Sequence, residues 1–209
     1  MLYPIIDTTL CRERAIDPVA LAQACLRGGA EWLQVRGKDD SSASFTILTD
    51  RIVAAAHDVG GKVIVNDRAD IARLCRADGV HVGQTDLTVA EVRGIVGPDA
   101  IVGLSTHDRA QVDAALATDA TYVAVGPIFS TATKATGYTA RGLDLVSYAA
   151  GRGKPIVAIG GITLERAASV VAAGASALAV ISDILAGDDA EARVRAFLAV
   201  LPPNPFKVY

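Results

Sequence analysis

The chain has 209 residues, 51% of them apolar, and a formal net charge of −3, which is enough to bury a substantial core and too apolar for a disordered segment. Acidic and basic residues are interspersed, with no basic stripe of the kind that tracks a phosphodiester backbone, so nucleic acid is not an expected partner. Cys11, Cys25 and Cys75 are far apart and form no Cys-x-x-Cys pair; neither a disulfide framework nor a zinc cluster is expected, and a reducing cytoplasm fits best.

At the N-terminus, "MLYPIIDTTL" lacks the basic stretch and long apolar run of a signal peptide, and no later run approaches a membrane span, so a soluble, unexported protein with no membrane partner is expected. The first β-branched run, "LYPIID", is followed by "DPVALAQACLRGG", which has helical spacing and a start signal in Asp17 before Pro18. The runs "WLQVRG", "VIVND", "GVHVG", "IVGLS", "YVAVG", "IVAIGG" and "ALAVIS" follow, making eight. Between them lie "TVAEVRGIVG", with Thr88 and Glu91 spaced as a capping box, "HDRAQVDAALA", and "TLERAASVVAAGA" starting at Thr163. Strands alternating with helices over short loops imply parallel pairing, and parallel strands covered on both faces read as near-continuous Val/Ile/Leu runs. Eight such units predict a single-domain (β/α)8 TIM barrel over residues 1–209, with the irregular tail "PPNPFKVY" at 202–209. An open doubly wound sheet is the alternative; the count of eight and the missing Gly-x-Gly-x-x-Gly turn after the first run weigh against it.

A barrel of this kind binds its ligand at the C-terminal ends of the strands, so polar residues should gather there. Asp7 ends the first run; Gln34, Arg36 and Lys38 end the second; Asn66 and Asp67 the third; Gln84 and Asp86 follow the fourth; Ser105 ends the fifth. Thr131, Thr133 and Lys134 follow the sixth in "GPIFSTATK", Gly160 and Gly161 end the seventh, and Ser182 ends the eighth. In "LQVRGK", residues two apart share a strand face, which puts Gln34, Arg36 and, if the strand continues, Lys38 on one side. Two cations side by side call for an anion, such as phosphate, or for a structural ion pair with Asp39 or Asp40. Asp67 and Asp86 are either cap and turn residues or the small oxygen set that Mg2+ favours. Gly161 either permits close backbone approach of a phosphate or serves a plain turn. His81, alternating with Val80 and Val82, reads as a packed barrel residue, His107 as a helix start and His57 as helical, and no Ser/His/Asp or Cys/His arrangement emerges.

Taken together, "LQVRGK", "VNDRADIA", "DGVHVGQTDL", "GLSTH", "GPIFSTATK" and "VAIGGI" closely resemble the thiamine-phosphate synthase family, and the matching elements run from "LYPIID" to "AVISD". The resemblance implies a (β/α)8 barrel and a transferase that joins 4-amino-5-hydroxymethyl-2-methylpyrimidine diphosphate to a thiazole phosphate, forming thiamine phosphate and diphosphate. By the same resemblance Gln34, Arg36, Lys38, Asn66, Ser105 and Lys134 hold the pyrimidine diphosphate, with Arg36, Lys38, Lys134 and Ser105 in catalytic roles. Asp67 and Asp86 correspond to Mg2+ ligands, and Thr131, Thr133, Gly161, Ile181 and Ser182 to the thiazole-phosphate site. The implied mechanism is dissociative, with a pyrimidine methylene cation captured by the thiazole nitrogen.

Gly37 stands where the family usually has an acidic residue, Ser130 replaces a common proline, and "ATGYTARG" departs from the commoner acidic or proline-containing pattern. Two rivals share the pocket: a thiazole tautomerase, which carries a histidine where this chain has Pro127, and a non-catalytic sensor of thiamine phosphate. Retention of Gln34, Arg36, Lys38, Asp67, Asp86 and Lys134 favours the synthase. The sequence leaves self-association into a homo-oligomer open.

Overall fold

A computed structural model describes residues 1–130, 139–202 and 204. The eight apolar runs form strands β1 (Leu2–Asp7), β2 (Trp32–Arg36), β3 (Lys62–Asn66), β4 (Gly79–Val82), β5 (Ile101–Thr106), β6 (Tyr122–Val125), β7 (Ile156–Ile159) and β8 (Ala177–Val180). Each pairs in parallel with the next, and β8 returns to β1 to close the barrel. That last pairing separates a barrel from the open sheet. The register sets Asp7 beside Arg36 and Asn66 beside His81, so the polar strand ends lie at one rim.

The helices among the described residues are α1 (Thr8–Glu13), α2 (Pro18–Arg27), α3 (Ser42–His57), α4 (Ala69–Leu74), α5 (Val89–Val96), α6 (Arg109–Leu116), α7 (Gly142–Ala149), α8 (Leu164–Ala172) and α9 (Ala190–Val200), with a 3-10 turn at Ser182–Leu185. Their starts follow the chemistry of unsatisfied backbone N–H groups. The Asp17 carboxylate accepts from Val19 N ahead of Pro18, and Thr88 and Glu91 form a reciprocal capping box. Thr163 occupies the N-cap of α8 but makes no side-chain cap bond; the Leu164 N–H instead donates to Asp183 Oδ2 at 3.1 Å, so the 3-10 turn supplies that partner. His107 precedes Asp108, whose carboxylate caps α6, and His57 ends α3.

Parallel closure buries both faces of every strand, and two apolar layers result. One lies between strands and helices and includes Leu33, Val35, Val63, Val65, Val80 and Val82. The other fills the barrel, where Tyr3, Trp32, Ile64, Ile101, Tyr122 and Val157 pack together. Tyr3 stands edge-on to Trp32 and to Tyr122, with centroids 6.0 Å apart in both pairs. The three cysteines are free and buried; burial, with smaller contributions from Asp7 and Asp17, pushes the Cys11 thiol up to about 11, so it stays protonated at neutral pH. Among the described residues no helix is long and apolar enough to cross a membrane.

The capping box starts α5 directly after the loop that carries Asp86. Thr88→Ala removes the acceptor for Glu91 N and is expected to cost about 1 kcal/mol, lowering Tm by roughly 2–4 °C for a chain of this size in a thermal melt. An unchanged Tm would show that the loop, not the cap, fixes this helix start.

Candidate active site

A cavity of about 720 Å3, counted to its open mouth, lies at the C-terminal rim of the barrel. Of the residues expected from the sequence, Gln34, Arg36, Asn66, Ser105, Gly161, Ile181 and Ser182 all line it. They come from three strands, β2, β3 and β5, and from the segments after β7 and β8, and the register brings them together. No sequence neighbourhood could do so alone.

Arg36 is the buried cation of this wall, 9% exposed. Its Nη1 donates to Asp7 Oδ2 in a buried ion pair, while its Nε has no hydrogen-bond partner among the described residues. The structural pair expected with Asp39 or Asp40 is not formed by Arg36; Asp40 pairs with Arg12, and Asp39 accepts from Thr9 Oγ1. Asp7 wins because it sits in register on the adjacent strand. Its other oxygen accepts from Leu10 N and caps α1, so the carboxylate is held from two sides. An N–H buried without a partner costs about 1–3 kcal/mol, and an anionic oxygen entering the cavity is the natural acceptor.

Below Arg36 the floor is polar and connected. Gln34 Nε2 donates to Tyr3 Oη at 3.1 Å, and the Tyr3 and Tyr122 hydroxyls are 3.1 Å apart. His81 Nδ1 lies 3.0 Å from Tyr122 Oη and His81 Nε2 lies 2.8 Å from Ser105 Oγ. Burial pushes both phenols well above their ordinary range, so both stay protonated. His81 is thus a packed barrel residue, as its alternation with valines indicated, and it also lines the cavity.

The opposite wall is backbone. Gly160 and Gly161 have φ of +102° and +61°, and a Cβ on Gly161 would come within 2.6 Å of Ser130 O. Only glycine allows this approach between the loops after β6 and β7. Phe129 N donates to Gly160 O at 3.0 Å, and Arg166 stacks over the Phe129 ring at 4.7 Å while donating to Gly161 O. Ser182 begins the 3-10 turn beside this wall.

Other expected residues sit differently. β2 ends at Arg36, so the strand alternation does not reach Lys38, which lies exposed in the following bend and outside the cavity wall. Asp67 is half-buried just past β3, in the left-handed region at φ +62°, where Asp is better tolerated than most residues. Asp86 is exposed, and its Oδ2 accepts from Gly83 N at 2.8 Å, which turns the carboxylate back toward the end of β4. Gln84 Nε2 donates to Ser105 O and ties that loop to β5. Thr131, Thr133 and Lys134 lie outside the described residues.

Sequence reading assigned no role to Asp7 in holding Arg36, to His81 in contacting Ser105, or to His107, whose Nδ1 lies 2.6 Å from Gly126 O at the cavity wall. The signal for Asp7 was its place at the end of the first run, inward-facing by alternation and next to the strand that carries Arg36.

The family model for thiamine monophosphate synthase matches residues 2–184. The thiamine-phosphate synthase of Roseiflexus sp. (strain RS-1) is 41% identical over 202 residues, 96% of this chain and 85% of its own. That of Anaeromyxobacter dehalogenans (strain 2CP-C) is 46% identical over 84% of this chain and 79% of its own. The solved thiamine phosphate pyrophosphorylase from Pyrococcus furiosus superposes with a TM-score of 0.85 at 26% identity, covering 95% of this chain and 94% of that one. With a matching model over nearly the whole barrel and such relatives along most of its length, the chain belongs to the thiamine monophosphate synthase family.

Proposed function

We propose that this chain is a transferase that joins 4-amino-5-hydroxymethyl-2-methylpyrimidine diphosphate to a thiazole phosphate, releasing diphosphate and forming thiamine phosphate. The observation that carries this reading is the buried Arg36 side chain, oriented by Asp7 and left with a spare N–H in the wall of a two-sided cavity. Gln34, Asn66 and Ser105 line the same cavity and take the pyrimidine diphosphate. Gly161, Ile181 and Ser182, with Thr131 and Thr133 that follow β6 in the chain, take the thiazole phosphate, where backbone N–H groups and hydroxyls donate to its oxygens.

In the reaction the C–O bond to the diphosphate breaks first. The aminopyrimidine spreads the positive charge of the methylene carbon, and the thiazole nitrogen closes the new C–N bond. The protein's task is to neutralise charge on the leaving group and to keep the two rings in line, so no general base is required. Arg36 supplies an oriented guanidinium, while Lys38 and Lys134 would add point charges for the leaving group. Asp67 and Asp86, at the ends of neighbouring strands, would hold Mg2+: the ion commonly takes one or two carboxylates and keeps its other positions for water and phosphate oxygens. Among the described residues no group of three or more His, Cys, Asp or Glu gathers, so two carboxylates would be the protein's contribution and the remaining positions would fall to water and phosphate oxygens. When bound, Mg2+ supplies Lewis-acid stabilisation of the departing diphosphate. The chemistry uses only small molecules and suits a cytoplasmic enzyme.

Incubation with both phosphorylated substrates, with and without Mg2+, followed by oxidation of thiamine phosphate to fluorescent thiochrome, tests this directly. Mg2+-dependent product is expected, and Lys134→Ala should lower kcat by on the order of a hundredfold with little change in thiazole-phosphate KM. Unchanged turnover would remove Lys134 from the leaving-group role. Absence of product from folded protein would favour the tautomerase or sensor reading.

Asp7→Asn leaves Arg36 buried without its counter-charge and is expected to destabilise the protein by about 3–5 kcal/mol. Added inorganic diphosphate should then raise Tm more in the variant than in the unaltered protein, because the ligand replaces the missing anion. Equal increments would place the diphosphate away from Arg36.

A further inference from the structure

At the end of β7 three successive carbonyls find their donors among residues outside the cavity wall. Ile159 O accepts from Ile128 N at 2.9 Å and Gly160 O from Phe129 N at 3.0 Å, so the backbone after β6 is laced to the backbone after β7. The third carbonyl, that of Gly161, takes its donor from a side chain, Arg166 Nη1 at 2.8 Å. The same guanidinium lies over the Phe129 ring, 4.7 Å from its centroid, within the range of a cation–π contact. Arg166 thus carries the lacing one residue further and closes it on the segment where it began.

The direction of these bonds matters because a trans peptide sets its C=O and its N–H on opposite sides. Gly160 O, turned to Phe129, points the Gly161 N–H away from that residue, and Gly161 O, turned to Arg166, points the Ile162 N–H away from the arginine. Gly161 and Ile162 line the cavity, whereas Phe129 and Arg166 do not. The backbone here has little resistance of its own to turning over: Gly160 and Gly161 have φ of +102° and +61°, regions that glycine enters without steric cost. A flipped Gly161–Ile162 peptide would offer a carbonyl oxygen to an anion in place of an N–H.

Helix stability does not account for Arg166. It lies in the first turn of α8, where the positive end of the helix dipole disfavours a cation. Nor is it the anchor of that helix: Leu164 N donates to Asp183 Oδ2, and Asp183 is itself paired with Arg193 at 2.7 Å. Arg166 is exposed, so truncating it leaves the helix start and the core intact.

We propose that Arg166 is a positioning residue for the thiazole-phosphate side of the site. By holding the Gly161 carbonyl it keeps the Ile162 N–H turned to an anionic oxygen in the cavity, and by stacking on Phe129 it is itself kept in place. The inference rests on the proposed thiazole-phosphate side of the site and deepens it.

The test follows the Gly161 and Ile162 amides in 1H–15N spectra of the unaltered protein and of Arg166→Ala as the thiazole phosphate is added, alongside steady-state kinetics for both substrates. In the unaltered protein the Ile162 amide proton should move downfield. In Arg166→Ala that movement should be largely lost and KM for the thiazole phosphate should rise roughly tenfold, with KM for the pyrimidine diphosphate and Tm unchanged. The KM ratio should persist at about 1 M salt, where charges are screened beyond roughly 3 Å; a ratio that collapses would make Arg166 a distant attractor of phosphate and overturn the positioning role. Arg166→Lys keeps a donor for Gly161 O and should recover part of the loss, whereas a lysine variant no better than alanine would break the link to that carbonyl. Equal Ile162 shifts in the unaltered and alanine proteins, or equal losses for both substrates, would sink the inference and leave the proposed reaction standing. If the thiazole phosphate perturbs neither amide in the unaltered protein, the phosphate does not lie at this wall, and the thiazole side of the proposed function falls with the inference.

Discussion

Closing eight parallel strands into a barrel is the constraint from which the rest of the structure follows. It leaves no strand face in water, so each strand must be apolar toward the helices and must also fill the lumen. Large side chains such as Tyr3, Trp32 and Tyr122 meet the second demand, and the two tyrosines bring hydroxyl groups into a space with no solvent. Those hydroxyls need partners, and the partners are the inward residues one pleat higher, Gln34 and His81. The packing problem of the lumen and the organisation of the site floor are thus solved by the same atoms.

Buried charge follows similar logic. A guanidinium in the barrel mouth is tolerable only with a counter-ion fixed at hydrogen-bond distance. Asp7 provides it because parallel register, rather than sequence proximity, decides which side chains are neighbours. The acidic residues close to Arg36 along the chain are drawn to α1 instead, through Arg12 and Thr9. The pair orients Arg36 without using all of its donors. A fully satisfied guanidinium would be a structural feature and little else; an incompletely satisfied one beside a cavity retains capacity for an anion.

The fold was legible in the sequence because periodicity and count are local properties. Eight β-branched runs gave eight strands, and Asp17 and Thr88 capped the helices they were expected to cap. Much of the site was legible for a derivative reason: once a barrel is assumed, inward residues at strand ends must converge, as Gln34, Arg36, Asn66 and Ser105 do. What escaped was non-local or depended on where regular structure stops. Lys38 was projected along a strand that ends two residues earlier. The partner of Arg36 lay on another strand, and the role of His81 required knowing that Tyr122 and Ser105 flank it. The midstrand Gly103 carried a readable signal, but its meaning emerges only with the tyrosine ring above it.

Histidine placement also bears on the kind of catalysis the site can perform. A general base needs a ring nitrogen with access to the reacting atoms and freedom to change protonation. Both nitrogens of His81 are engaged by buried hydroxyls, and His107 is drawn to the Gly126 carbonyl, so each imidazole has a built-in structural task. The proposed dissociative alkyl transfer does not miss the base. Its barrier lies in separating a diphosphate from a cation, which fixed donors and cations lower most effectively where they need not reorganise. A rigid lumen, cross-linked by hydrogen bonds under a guanidinium already aligned by Asp7, is the environment that such a reaction uses best.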